Sequence, residues 1–314
     1  MNRKGFELSF GWLFAILVGA VIIFLAVYMA GKLVSNQNQA TNTETGKELG
    51  ILLSPVETSL ESAKLSSITF PRDTKIGNMC SNLGNFGSQK INITSDTGVG
   101  GGDDAGIAST FYNKYLFSST IVDGKTLSVF AKPFEMAYKI ADLIFVWSDK
   151  ESYCFIMPPR EIEDELGAMK PKNIYLVDVA SKISNCSKSS KKVCFANTNT
   201  KCDIQVSMAS KAVTKENKTM YFEGALLYGA IFASPSIYEC QVKRLMKRNS
   251  ELALLYAGKA DNLGAKGCSS NLQETFVSYA NHSIKVNNSR QLKDIQFEAV
   301  DIARRNHDLL CQIF

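Results

Sequence analysis

Residues 8–31 carry no charge, 24 positions between Glu7 and Lys32. No other feature restricts the fold as strongly. At about 1.5 Å per residue, such a helix exceeds the roughly 30 Å hydrocarbon core of a bilayer. The run contains Ile16-Leu17-Val18 and Val21-Ile22-Ile23-Phe24-Leu25 and keeps no polar face, unlike a surface helix of a soluble domain. It reads as a transmembrane helix over 8–31 whose partner is the lipid bilayer. Trp12 and Tyr28 lie near its ends, where amphipathic rings favour the headgroups. Arg3 and Lys4 precede it, so residues 1–7 are expected in the cytoplasm and the bulk of the chain outside the cell. Lys32 weakens that asymmetry without reversing it. The run outlasts the roughly 7–15 apolar residues of a cleaved signal peptide, so a retained anchor is the better reading.

The cysteines agree with that compartment. Cys80, Cys154, Cys186, Cys194, Cys202, Cys240, Cys268 and Cys311 all follow the span. An even set on the outer side is a disulfide framework. Cys194 and Cys202 flank a short polar stretch, as the two sides of a loop would. Zinc is the competing reading for Cys186, Cys194 and Cys202, which recur every eight residues. Structural zinc sites use tighter Cys-x₂₋₄-Cys pairs, so no metal or cofactor is expected. Glycosylation triplets begin at Asn92, Asn185, Asn217, Asn281 and Asn287, all beyond the span.

The 314 residues are 45% hydrophobic and 21% charged, with a net charge of +5, which excludes disorder and allows one or two ordinary domains. Residues 32–66 are polar, then broken by Pro55, and read as a partly helical stalk or linker. Residues 67–233 read as a mixed α/β domain. Ile68-Thr-Phe70, Ile91-Asn-Ile-Thr94 and Thr126-Leu-Ser-Val-Phe130 are strand-like, and Asp123-Gly124 is a hairpin-turn signal. The glycine-rich run 98–106 lacks the Gly-Lys-Ser/Thr ending of a phosphate loop and reads as a flexible surface loop. Its Asp103 and Asp104 lack EF-hand spacing.

Further on, 141–147 and 173–178 are apolar strand candidates around a short helix. That helix begins at Pro158-Pro159 and is capped at Gly167, which suggests a parallel pair. Further strands are expected at 193–195, 203–206 and 221–232. Residues 234–314 read as a helical bundle. Ser236 and Glu239 have capping-box spacing. Apolar seams run through Tyr238, Val242, Leu245, Leu252 and Tyr256, through Leu272, Phe276 and Tyr279, and through Leu292, Ile295, Ala299, Ile302 and Leu309. Asn249 and Asn306 fall in series with the outer two. This geometry puts Cys268 and Cys311 at one end of the bundle, so they are expected to pair.

Catalytic signals are thin. His282 and His307 sit in polar stretches without a Gly-x-Ser-x-Gly elbow, and Glu161-Ile-Glu-Asp-Glu165 reads as a solvated helix face. Lys243-Arg244 and Lys247-Arg248 form a basic stripe opposite the apolar seam. It too reads as solvated, with an acidic glycan or protein as the lesser possibility and no nucleic acid.

The start, Met1-Asn-Arg-Lys-Gly-Phe6-Glu7, resembles the processing site of archaeal type IV pilin-like proteins, in which a basic residue and Gly precede the hydrophobic helix. In pilins the acidic residue usually lies fifth after the cut, whereas Glu7 would lie second, and an ordinary anchor remains the simpler reading. Lys139-Ile-Ala-Asp-Leu-Ile144, Tyr153-Cys-Phe155, Pro158-Pro159, residues 222–232 and residues 238–245 resemble an uncharacterised family of membrane-anchored proteins from small archaeal genomes. That likeness covers most of the chain after residue 65 and implies a single-span, outward-facing archaeal protein, without catalytic residues to carry over. The expected function is non-enzymatic binding or assembly at the cell surface. The alternatives are a pilin-like filament subunit, processed after Gly5, and an anchored extracellular hydrolase built on carboxylates or His282.

Overall fold

The computed structural model describes residues 10–58, 65–95, 104–178, 186–195, 201–268 and 270–314. Helix α1 spans Phe10–Thr58 without interruption, 49 residues or about 74 Å. Its first half is apolar and bare: Phe10 is 86% exposed and Phe24 70%. The segment is long and apolar enough to cross a membrane. The stretch after residue 31 is a direct continuation of the helix as far as Thr58, the helical extension that its sequence allows. Within this polar part Thr41, Thr43 and Thr45 satisfy their hydroxyls on the helix itself, donating to the carbonyls of Gln37, Gln39 and Thr41.

The second half of α1 lies against a seven-stranded sheet built from β1 (Ser66–Ser81), β2 (Ser88–Ser95), β3 (Asp104–Ala105), β4 (Ser109–Phe111), β5 (Leu116–Phe117), β6 (Ile121–Glu135) and β7 (Lys139–Ser148). Their order is β3-β2-β1-β6-β7-β5, with β4 also on β2. All pairs are antiparallel except β5 with β7. Alternation along the strands divides the sheet between two cores. One face sends Ile76, Ile91, Ile93, Val122, Val129 and Ile144 toward Leu49 of α1. The other sends Phe117, Phe130, Leu143, Phe145 and Trp147 into the main core.

A second sheet covers that main core. It comprises β8 (Tyr153–Ile156), β9 (Ile174–Val177), β10 (Lys191–Cys194), β11 (Ile204–Ser207), β12 (Ala212–Lys215) and β13 (Lys218–Tyr221), in the order β13-β12-β11-β10-β8-β9. β11, β10, β8 and β9 run parallel to one another, and the antiparallel hairpin of β12 and β13 extends the sheet beyond β11. Helix α2 (Arg160–Met169) connects β8 to β9 and packs Ile162 and Leu166 inward. Helix α3 (Leu226–Phe232) is buried along its whole length. Its Gly229 lies so close to Phe117 that an added Cβ would sit 2.6 Å from the ring. Phe232 stacks on Trp147 with centroids 4.8 Å apart. Helices α4 (Pro235–Ala265), α5 (Gln273–Ser283) and α6 (Leu292–His307) complete the molecule. They bury Tyr238, Val242, Leu245, Phe276, Tyr279, Ile295, Ala299 and Ile302 in the same core.

The mixed α/β class, the strand-rich first region and the three C-terminal helices agree with the sequence reading. Five local expectations do not. Asp123-Gly124 lies inside β6, not at a turn, because Asp149 accepts the N–H groups of Lys125 and Thr126 beside it. An added Cβ at Gly124 would fall 2.4 Å from that carboxylate, so the glycine serves close packing. The parallel βαβ unit uses β8 and β9, while the 141–147 strand belongs to the first sheet. Helix α2 continues through Gly167 and ends on Lys170 in the left-handed region. The 221–232 run is the end of β13 followed by α3, since a short, wholly apolar stretch lacks the periodicity that separates helix from strand. Ser236 lies inside α4, which begins after Ser234 with Pro235 in its first turn, and Glu239 accepts from the Ser289 N–H and hydroxyl instead of a cap.

The end of the glycine-rich run also differs from a free loop. Residues 98–103 lie outside the described residues, but Asp104–Ala105 is β3 and Gly106 is buried on α1. Its N–H donates to Ile93, and an added Cβ would lie 2.7 Å from the Asn42 carbonyl carbon.

Candidate functional site

All eight cysteines are bridged: Cys80–Cys240, Cys154–Cys186, Cys194–Cys202 and Cys268–Cys311. The last pair closes the end of the helical bundle. The evenly spaced Cys186, Cys194 and Cys202 divide between two bridges instead of converging. Cys154 and Cys194 pack with Ile156, Val177, Cys186 and Cys202, so two bridges themselves form a small apolar cluster on the second sheet. Cys80–Cys240 ties the first sheet to α4.

Of the glycosylation triplets, Asn217 sits in the turn between β12 and β13, where it and Glu216 both have positive φ, and it is exposed. Asn281 on α5 and Asn287 after it are exposed as well. Asn92 is half-buried in β2 and lies over Gly77, with its Oδ1 enclosed and unpartnered. That position is poorly suited to an attached sugar. Asn185 lies outside the described residues.

The basic stripe on α4 requires the main correction. Arg244 is fully buried. Its guanidinium donates to the carbonyls of Phe86, Lys114 and Tyr112 and to Gln241 Oε1, at 2.8–3.2 Å, and lies 4.8 Å over the Tyr115 ring. Gln241 donates onward to Gln89 and Leu116, Gln89 to Asn78, and Asn78 to the Ser118 hydroxyl at 2.7 Å. Burial pulls the guanidinium down to about 10, still well above neutrality. Lys247 donates to Asn82 and Gly84, and Arg248 to Ile140. The stripe is thus a clamp between α4 and the first sheet. Its fixed carbonyls match the planar fork of arginine, and its amides are linked donor to acceptor throughout. Gly87, at φ +60°, allows the approach, because an added Cβ would lie 2.8 Å from Arg244 Cγ.

The acidic run on α2 is likewise partly internal. Glu165 accepts both Lys132 Nζ contacts at 2.8 Å and the Tyr228 hydroxyl, which anchors α2 to the core. His282 meets Glu298 at 2.8 Å on the exposed side of α5, and His307 is exposed at the end of α6. Among the described residues no cluster of three or more metal-ligating side chains occurs.

Positive charge gathers elsewhere. A cavity of about 380 Å³ opens between the second sheet and the start of α6. Phe222, Tyr221 and Leu292 contribute its apolar wall, and Lys211, Glu223, Arg290 and Lys293 its charges. Glu223 is buried and paired with Lys211 at 2.5 Å, so Arg290 and Lys293 leave the mouth net positive. The size and charge suit a small anionic group. Its residues come from three separate stretches of chain, and only the closure of the hairpin against α6 unites them, so no local motif marks the site. Set against protein-family models, curated proteins and solved structures, the chain finds no match in any of the three.

Proposed function

We propose that this chain is a single-pass, membrane-anchored extracytoplasmic protein that binds or assembles at the cell surface. The bare apolar half of α1 carries the proposal, because it has no use in water and suits a bilayer. Four bridged cysteine pairs and the exposed Asn217, Asn281 and Asn287 support an oxidising outer compartment. Arg3 and Lys4 before the span support the outward orientation. The resemblance to membrane-anchored proteins of small archaeal genomes belongs to the same proposal. The net-positive cavity at Arg290 and Lys293 is the preferred ligand position, with an acidic glycan as the fitting class.

Carbonate washing of native membranes tests the anchor. Retention in the pellet, with cysteines that alkylate only after reduction, supports the proposal. Release by carbonate, or free thiols, overturns it.

One observation favours a filament subunit as a second reading. Helix α1 passes from its bare apolar half to its sheet-packed half without a break, so bundled apolar halves would hold the domains outward at a fixed distance. N-terminal sequencing that begins at Phe6, together with filaments in electron micrographs, would favour this version. A retained Met1 or Asn2 would count against it.

A further inference from the structure

A second cavity, of about 290 Å³, lies at the edge where β8, β10 and β11 begin. That volume matches about ten waters. Ser119, Tyr153, Lys191, Asp203, Lys215, Glu216, Ile231 and Phe232 are among its walls. Lys215, at the end of β12, is 8% exposed. Among the described residues its amine has one hydrogen bond, 2.8 Å to the carbonyl of Ile231, and no ion pair within 4 Å. Both partners of that bond line the cavity. The other lysine of the cavity is satisfied differently: Lys191 sits on Glu151 at 2.6 Å. Asp203 is occupied by the Lys192 N–H.

A lysine buried without a carboxylate partner is costly to keep charged. Burial holds this amine down to about 8; Lys191 lowers it further, while Glu216 and Glu151 act against the shift. Tyr153, the remaining titratable wall, is raised by burial and stays neutral. An amine that is partly neutral near pH 7 and borders an open cavity is a nucleophile in waiting. The surrounding hydroxyls and carboxylates favour a hydroxyl-bearing partner.

We propose that Lys215 captures a small polar aldehyde in this cavity as an imine. The nitrogen lone pair attacks the carbonyl carbon and a C–N bond forms. The two amine hydrogens and the carbonyl oxygen leave together as water, and no oxidant or reductant takes part. The proposal is independent of the membrane reading.

Its test uses the full chain in detergent, incubated with glycolaldehyde and trapped with cyanoborohydride over pH 6–10, followed by peptide mapping. The expected result is preferential adduct on Lys215 at pH 7.5, at least several-fold above surface lysines, with a half-maximal rate near pH 8. Lys215→Arg should abolish that adduct and leave the others unchanged. The competing role is purely structural, with the amine only capping the end of α3. In that case Lys215 reacts no faster than other lysines, or only after denaturation, and either outcome overturns the proposal. Because wild-type labelling decides the question, a poorly folding variant would not obscure it.

Discussion

The two halves of α1 share one helical backbone and reverse the usual relation between composition and burial. Residues 10–31 are apolar and lie open, whereas the polar stretch around Asn42, Gly46, Leu49 and Gly50 is buried. Among the described side chains of the second half, Leu49 is buried, Gly46 approaches Ser109, and Gly50 faces the ring of Phe111. The Thr43 hydroxyl accepts the Ile107 N–H at 2.8 Å, so even its polar groups are used. The difference separates two kinds of order. The sheet-packed half is held by complementarity within the chain, while the bare half calls for an apolar environment outside it.

The largest expected effect breaks the comparison at the bare half. On the proposed anchoring, Ile22→Arg with Leu25→Arg places two charges near the middle of the bilayer, at about 2.5–3.5 kcal/mol each on insertion scales. The protein should move from the membrane pellet to the supernatant, while its melting temperature in detergent stays within about 2 °C. A folded domain that melts early would mean the halves are not independent.

Next come the staples of the packed domain. Cys80–Cys240 closes 160 residues and Cys194–Cys202 closes 8. In the chain-entropy model their removal costs about 5 and about 2.5 kcal/mol respectively. Paired Cys→Ala variants compared by urea titration should keep that order. Arg244→Met should cost about 3 kcal/mol or more, because it strands the carbonyls of Phe86, Lys114 and Tyr112 in the interior. Urea midpoints unchanged by that substitution would refute the clamp.

Stability against pH sharpens the contrast, since the strongly shifted groups all lie in the domain. Lys215 holds about 8 when folded against an ordinary 10.5. Between those values the unfolded chain binds more protons, so stability should rise with pH, by up to about 3 kcal/mol. Buried Tyr138, Tyr153, Tyr228, Tyr238 and Tyr279 are raised above their usual 10, so the folded chain then retains protons that the unfolded chain loses. Stability should therefore turn downward above about pH 10, and Lys215→Met should remove the rise before it. Gly106→Val is the smallest, about 1–3 kcal/mol by overpacking against Asn42 of α1, read as a lower melting temperature.

Legibility followed periodicity. The apolar run, the helical seams and the β-branched strands all announce themselves through local pattern, and each corresponds to an element. Cys268 and Cys311 could be paired because two helices fixed their ends. Arg244 could not be placed, because the carbonyls that receive the guanidinium come from residues 86–114, more than a hundred positions away in the chain. Gly124 resembled a turn because glycine for close packing and glycine for a turn look alike in sequence. The cavities at Arg290 and Lys215 depend on contacts across scores of residues, which no local spacing records.

The most direct measurement is protease shaving of intact cells followed by mass spectrometry of the released and membrane-bound peptides. Outward presentation on the apolar half of α1 predicts peptides from residues 66–314 in the released fraction and those from 10–34 only in the membrane pellet. Domain peptides that appear only after the cells are lysed would contradict it.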